Sequence, residues 1–369
     1  MLRTSEYVTI GHPDKVADFI TSYILDRYIE KDPGVRYAVE VQIKDSHVTL
    51  GGEVTSAYEM SDEELKRHVR DAICSIGYTP EYAKSWGAEN CIDPDNLDIA
   101  VHIGRQSPDI AQGVNADGWG DQGIFWGMAT SETAGMMPLD HALAKRIGDD
   151  LYEAAKSDPG FKLGLDIKTQ VTIEDGKVEE IVVAVPTKGA EWYEGCGTPH
   201  FGDIVNRANL VRGIAEKALK DFGCESSNPN YIINGTGAYV RHASAGDCGT
   251  TGRKLAVDFY GGNCRIGGGA PWSKDPTKAD VTLNVYARKK AVEFLKRQGG
   301  KGTVFCAISC CIGKREIRVA YFDGCLQQIS WGIESRPASE IIAELGLRRP
   351  VFARLCREGL FATLADEGV

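Results

Sequence analysis

Residues 169–189 read TQVTIEDGKVEEIVVAVPTKG. Apolar and polar residues alternate on both sides of Asp175-Gly176. A two-residue turn of that composition tolerates positive φ, so the stretch predicts an antiparallel hairpin. The same pattern occurs over Tyr37–Ser56 around Asp45-Ser46, and over Gly302–Cys325 around Gly313-Lys314. The turns fall 130 and 138 residues apart, about a third of the chain each. A helical stretch precedes every hairpin. The first has apolar positions at Val16, Ile20, Tyr23, Ile24 and Tyr28, and the second at Leu139, Leu143, Ile147, Leu151 and Ala155. The third has Leu283, Tyr286, Ala287, Ala291, Phe294 and Leu295, with Gly299-Gly300 as its stop. This spacing lays one apolar stripe on each helix, to be covered by a sheet. Further helices are signalled near Ser61 (where Glu64 completes a capping box), near Asp203 and near Pro337. The unit of helix, hairpin, helix and strand therefore recurs three times. The fold class expected is α+β, with mostly antiparallel sheets and helices on one face of each. Hairpins disfavour a βαβ dinucleotide fold, whose strands are parallel.

Composition narrows the function classes. The 369 residues leave room for two or three domains. With 42 Lys+Arg against 52 Asp+Glu the net charge is −10, which argues against a broad nucleic-acid surface but not against a small anion held locally. The longest aliphatic run, Ile181–Val185, is far too short to cross a bilayer, and residues 1–6 lack the apolar segment of a signal peptide. The eleven cysteines include no Cys-x-x-Cys and fit neither a zinc knuckle nor a disulfide framework. A cytoplasmic protein with reduced thiols is expected, with no nucleic-acid or membrane partner.

Two segments stand out as candidates for chemistry. In Gly11-His12-Pro13-Asp14-Lys15, Pro13 suits the first helical position and puts His12 at the cap and Asp14 in the first turn. A helix start attracts phosphate or a developing anion; His12 there can donate to a leaving oxygen and Asp14 can hold a divalent cation. The second segment runs from Gly246 to Asp280. Gly246-Asp247-Cys248-Gly249-Thr250-Thr251-Gly252-Arg253-Lys254 has the wrong glycine spacing for a P-loop, and strand-like Leu255–Tyr260 follows it. Beyond lie Gly261-Gly262, Gly267-Gly268-Gly269 and Lys274–Asp280. Between Gly246 and Lys278 the cations Arg253, Lys254, Arg265, Lys274 and Lys278 outnumber Asp247, Asp258 and Asp275 by two, in an acidic chain. Glycines interleaved with cations suit a polyphosphate, and Asp280 before a helix suits a second metal ion. Glu40, Glu53, Gln106, Asp121, Asp166 and Lys168 are further polar positions in strand-like or glycine-bounded contexts.

Taken together, Gly11–Lys15, Gly51–Thr55, Gln106–Gly113, Gly120–Gly123 with Ala129–Thr133, Gly246–Lys254 and Gly267–Asp280 resemble the S-adenosylmethionine synthetase (methionine adenosyltransferase) family, from Thr4 to about Phe361. The resemblance implies three similar α+β domains about a pseudo-threefold axis. The units are placed at 1–105, at 106–231 with a gating loop, and at 232–369 with the polyphosphate loops; the true domains are free to interleave in sequence. It further implies attack of the methionine sulfur on C5′ of ATP, followed by hydrolysis of the tripolyphosphate. A thioether needs no general base, so orientation and stabilisation of the leaving group carry the reaction.

By matching motif positions, the resemblance places His12, Lys168, Lys274 and Asp121 in catalysis. ATP and its phosphates fall to His12, Asp166, Lys168, Tyr239, Asp247, Arg253, Lys254, Ala270, Lys274 and Lys278. Methionine falls to Glu53, Gln106, Asp247 and Lys278. Two Mg²⁺ are assigned to Asp14 and Asp280, and K⁺ to Glu40. The implied partner is a second copy of the chain, with sites at the interface of a homodimer and possible pairing of dimers. The alternative is a non-catalytic or substrate-shifted paralogue that binds nucleotide or regulates an active enzyme.

Several positions depart from the family pattern. Ile10 stands where the family has Glu, Ala238 and Val281 where it has Arg, and Ile266 where it has His. The segment Ala270-Pro271-Trp272-Ser273-Lys274-Asp275 also differs, and the gating loop between Gly113 and Asp121 is shorter. These changes predict an active enzyme with altered nucleotide affinity, analogue tolerance or product release.

Overall fold

The computed structural model describes residues 2–104, 118–158, 160, 162–188, 201–225, 227–237 and 239–362, without the side chains of 201–206. The first third holds β1 (Leu2–Val8), α1 (Pro13–Lys31), β2 (Arg36–Lys44), β3 (His47–Thr55), α2 (Asp62–Ile76), α3 (Pro80–Trp86) and β4 (Asp98–Gly104). Then come β5 (Gly123–Thr130), α4 (Leu139–Ser157), β6 (Lys168–Glu174), β7 (Lys177–Ala184), α5 (Phe201–Asp221) and β8 (Asn230–Ile233). The last third holds β9 (Gly249–Thr250), α6 (Ala279–Arg297), β10 (Thr303–Cys310), β11 (Glu316–Asp323), β12 (Gln328–Ser335), α7 (Ala338–Glu344) and α8 (Phe352–Glu358).

The hairpins β2–β3, β6–β7 and β10–β11 form where the turns predict. Asp175 and Gly176 adopt φ of 47° and 83°, the left-handed pair that lets a two-residue turn follow the twist of its strands. Ser61 caps α2 with the full capping box through Glu64.

Three four-stranded sheets result, ordered β4-β3-β2-β9, β1-β6-β7-β8 and β12-β11-β10-β5. Each contains one hairpin, and beside its first strand lies an antiparallel strand from another third of the chain. β9 pairs with β2, β1 with β6, and β5 with β10. The exchange is cyclic: β1 leads into α1 yet joins the second hairpin, β5 leads into α4 yet joins the third, and β9 leads toward α6 yet joins the first. Helices cover one face of each sheet, with α1 on β2 and β9, α4 on β1 and β6, and α6 on β5 and β10. The fold is thus α+β with three related, mostly antiparallel sheets. Among the described residues no helix is long and apolar enough to cross a membrane.

Three sequence expectations need correction. First, α1 is not a one-striped helix: Asp18, Thr21, Ser22 and Asp26 are buried along with its apolar positions. α2 and α8 pack on it besides the sheet, and Asp26 accepts the backbone N–H of Phe352 (2.9 Å) and Ala353 (2.8 Å) at the start of α8. Second, the third hairpin is followed directly by the antiparallel strand β12, whereas β4 and β8 return parallel. The Asp323 carboxylate accepts the N–H groups of Cys325 and Gln327 at 2.9 Å each and closes a tight turn there, leaving no crossover. Third, Leu255–Asp258 is a single helical turn, not a strand. Asp258 is drawn inward to Lys15 (2.5 Å) and the Trp272 indole N–H (2.7 Å), while Gly261 at φ 63° folds back on the Ala256 carbonyl.

Candidate functional site

The helices α1, α4 and α6 each carry an aspartate as their second residue: Asp14, Asp140 and Asp280. Each faces the exposed N–H groups and the positive end of a helix, but the surroundings differ. Asp14 is 1% exposed and pairs with Lys254 Nζ at 2.5 Å and Arg253 Nη1 at 3.6 Å, while its Oδ1 accepts the Thr250 N–H at 2.9 Å. Asp280 is about a quarter exposed and pairs with Lys274 Nζ at 2.6 Å. Asp140 meets a single, more distant cation: Arg3 Nη2 stands 3.9 Å from its Oδ1, while its Oδ2 accepts from Ser5 Oγ (2.7 Å) and Asn263 Nδ2 (2.8 Å).

Glycine lets the loops pass close under these helix starts. A Cβ on Gly249 would lie 2.1 Å from the Pro13 carbonyl oxygen, and one on Gly269 would lie 1.8 Å from Asp280 Oδ1. The glycine-dense composition therefore serves close packing of the cationic loops against α1 and α6, as well as approach by a ligand.

His12 caps α1 and is 2% exposed. Its Nδ1 accepts the Asp14 N–H at 3.1 Å. Burial, reinforced by Lys168, Lys254, Lys15 and Arg253, lowers its pKa to about 2, so the imidazole is neutral. With Nδ1 accepting, the single ring proton sits on Nε2, free to be donated.

Glu40 on β2 joins the two glycine-rich loops: Ser273 Oγ donates to Oε1 at 2.8 Å and Thr251 Oγ1 donates to Oε2. The loops also meet where Gly252 abuts Ala270. Glu53 lies opposite Ala38, whose backbone bridges to Lys274. On the other flank Asp166 is buried beside the start of β6, where Lys168 stands. Asp166 Oδ2 accepts from Tyr239 (2.8 Å) and from the Ala243 N–H (2.9 Å), and burial raises its pKa. Its Oδ1 is buried without a partner.

Contacts thus link His12, Asp14, Arg253 and Lys254, then Glu40 with both loops, then Lys274 with Asp280, and separately Tyr239 with Asp166. Asp247 is exposed and only receives the Cys248 N–H. Asp121 is exposed at the start of β5, its carboxylate on the Gln122 N–H. Lys278 caps α6 with its backbone, with no side-chain cap. Gln106, Ala238 and the gating loop as far as residue 117 lie outside the described residues.

Sequence reasoning missed Asp140, whose only signal is its place after Leu139, and the buried trio of Lys15, Asp258 and Trp272. Of the departures, Ile10 and Val281 are buried in the core and Ile266 is exposed. Trp272 is 1% exposed and donates its indole N–H to Asp258.

Among the described residues no group of three or more His, Cys, Asp or Glu side chains comes together as a metal cage. Asp14 and Asp280 each offer one hard carboxylate already drawn to a cation. That suits a hydrated Mg²⁺ completed by phosphate oxygens better than a protein-only cage.

Family models described as the S-adenosylmethionine synthetase N-terminal, central and C-terminal domains match residues 1–108, 116–239 and 242–366. The S-adenosylmethionine synthases of Nocardia farcinica and Clostridium tetani are each 34% identical over 98% of this chain, covering 92% and 94% of their own lengths. An S-adenosylmethionine synthetase structure from Campylobacter jejuni, titled as unusual, superposes with a TM-score of 0.80 at 31% identity, covering 97% of this chain and 94% of the other. Sequence, fold and site agree, and the chain belongs to the S-adenosylmethionine synthetase family.

Proposed function

We infer that this chain makes S-adenosylmethionine from ATP, L-methionine and water, releasing phosphate and diphosphate. The observation that carries the reading is the start of α1: a neutral His12 with its proton on Nε2, beside Asp14, Lys254 and Arg253. The methionine sulfur is a neutral nucleophile, so the difficulty lies in the departing triphosphate with its roughly four charges. His12 Nε2–H donates to O5′ as the C5′–O5′ bond breaks. Arg253, Lys254, Lys168, Lys274 and Lys278 hold the triphosphate, and the Ala270 backbone lies along it. Tyr239 stacks on adenine, with Asp166 fixing its hydroxyl and the nucleotide end. Glu53, Gln106 and Asp247 hold methionine, and Asp121 faces the developing sulfonium charge.

Asp14 and Asp280 would each hold one Mg²⁺, and Glu40 would hold K⁺. When bound, the Mg²⁺ ions supply charge that neutralises the polyphosphate. In the described state Lys254 and Lys274 occupy these carboxylates, so the lysines swing from carboxylate to phosphate when substrate arrives.

A homodimer fits the exposed apolar row on the uncovered face of the third sheet. There Ile124 and Ile333 lie on one line of pairing through Ser309 and Arg318, with exposed Ile329 and Trp331 (64%) at alternate positions before Ile333 along β12. A cytoplasmic setting accords with the free cysteines.

The test is incubation with ATP, methionine, Mg²⁺ and K⁺, read by mass spectrometry. S-adenosylmethionine with phosphate and diphosphate is expected, and free tripolyphosphate would mark a failure of the hydrolytic half. ADP alone, or no turnover, would overturn the reading. His12→Ala is expected to abolish adenosyl transfer while the protein stays folded.

A further inference from the structure

A cavity of about 220 Å³ lies among α1, α4 and α6, closed by α8 and the residues after it. None of the residues placed above on ATP, methionine or metal lines it. Its walls are largely apolar, with Ile10, Met137, Val257, Phe259, Leu360 and Phe361 among them. Of the charged groups that line it, Glu358 faces Arg354 outside the cavity at 3.8 Å. Lys15 is matched by Asp258 at 2.5 Å, and Lys145 by Asp149. Two guanidinium groups are not matched. Arg288, 5% exposed, donates only to the backbone carbonyls of Met128, Met136 (3.0 Å) and Gly135 (2.7 Å). Arg357 reaches the Ser75 carbonyl at 3.1 Å, and its Nε is buried without an acceptor. Among the described residues neither arginine pairs with a carboxylate. His141, 3% exposed, lines the same cavity with a buried Nδ1 that has no partner. Burial, with Lys145 adding to it, lowers its pKa to about 4, so this imidazole is a neutral polar group and not a third cation.

A buried cation without a counter-ion is costly, and a guanidinium fits a carboxylate through two parallel N–H bonds. Apolar walls with guanidinium groups among them select an anion on an apolar body over inorganic phosphate. We propose that this cavity binds a small organic carboxylate with an apolar body, held by Arg288, Arg357 and His141. The site is separate from the adenosyl-transfer centre and does not depend on the reading of that centre.

Phenylacetate is the probe, titrated into the full chain by isothermal calorimetry. Saturable one-site binding is expected, at least about tenfold tighter than binding of neutral phenylacetamide or of inorganic phosphate. Saturating tripolyphosphate and methionine are expected to leave that affinity unchanged. Arg288→Met is expected to weaken binding by about tenfold or more. It also strips three carbonyls of their donor, so Arg357→Met and His141→Phe, which leave those bonds in place, serve as the second arm and are expected to weaken binding too. The absence of saturable phenylacetate binding would overturn the proposal. So would equal binding of the amide or of phosphate, competition by tripolyphosphate, or undiminished affinity in folded Arg357→Met and His141→Phe proteins.

Discussion

The starts of α1 and α4 carry the same residue at the same helical position and differ in nearly everything around it. Asp14 and Asp140 are each the second residue of a long helix, and both are buried. Around Asp14 stand Lys254, Arg253 and the neutral His12; around Asp140 stand Ser5 and Asn263, with Arg3 at 3.9 Å. The helix dipole favours a carboxylate or a phosphate equally at both of these N-termini. A surplus of cations, delivered by a loop from another third of the chain, suits one of them to a polyphosphate. A hydroxyl and an amide donor, with Arg3 farther off, satisfy the other. The α6 start is intermediate, with Asp280 paired to Lys274 and partly open.

The sharpest way to break this contrast is to neutralise both aspartates. Asp14→Asn is expected to lower kcat/KM for S-adenosylmethionine formation by about 100-fold or more, because charge stabilisation of the leaving group is lost. Asp140→Asn is expected to cost about 1–3 kcal/mol of stability in denaturant melts. Its turnover per folded molecule should stay within about twofold of the parent. Equal loss of turnover in both variants would erase the distinction.

The next largest effect concerns the loop beneath Asp280. Gly269→Ala drives a methyl into that carboxylate, whereas Gly268 has nothing within 4 Å of an added Cβ. Overpacking of this kind costs about 1–3 kcal/mol, so Gly269→Ala should lose about tenfold or more in kcat/KM. Gly268→Ala should behave like the parent, and matching kinetics for the pair would show that the loop is not held against α6.

Smaller effects appear in pH dependence. His12 is depressed in the folded state from 6.5 to about 2, so its contribution to stability is present above pH 6.5 and is lost as pH falls toward 2. His12→Asn should remove that slope from melts recorded between pH 7 and 4. Asp26, beneath α8, shifts the other way. Burial raises it from 3.8 to about 6, against the two N–H groups it accepts. Its contribution is present below pH 3.8 and is lost as pH rises through 6. In a series of melts Asp26→Asn should therefore gain on the parent between pH 4 and 6. A constant gap across that range would mean that Asp26 ionises normally.

Much of this was legible along the chain. The hairpin turns, the capping box at Ser61 and the helix starting at Pro13 are short-range features in which each residue acts on neighbours within a turn. The cationic loops and the first-turn aspartates were legible as residue types suited to a polyphosphate. Leu255–Asp258 was not, because Lys15 and Trp272 decide its conformation from distant positions. The full burial of α1 was hidden for the same reason: α8 covers its polar side.

The sequence by itself determined three hairpins, the places of three long helices and the inventory of charged groups, since turn chemistry and periodicity act locally. Only the tertiary structure decided which strand joins which hairpin. The partner of β2 is the two-residue strand β9, more than two hundred positions away. That exchange brings Thr250 and Lys254 onto Asp14 while β1 brings Ser5 onto Asp140. Nothing in either helix distinguishes the two aspartates. The strand each one packs against does, because cross-chain pairing sets which charges a buried carboxylate meets.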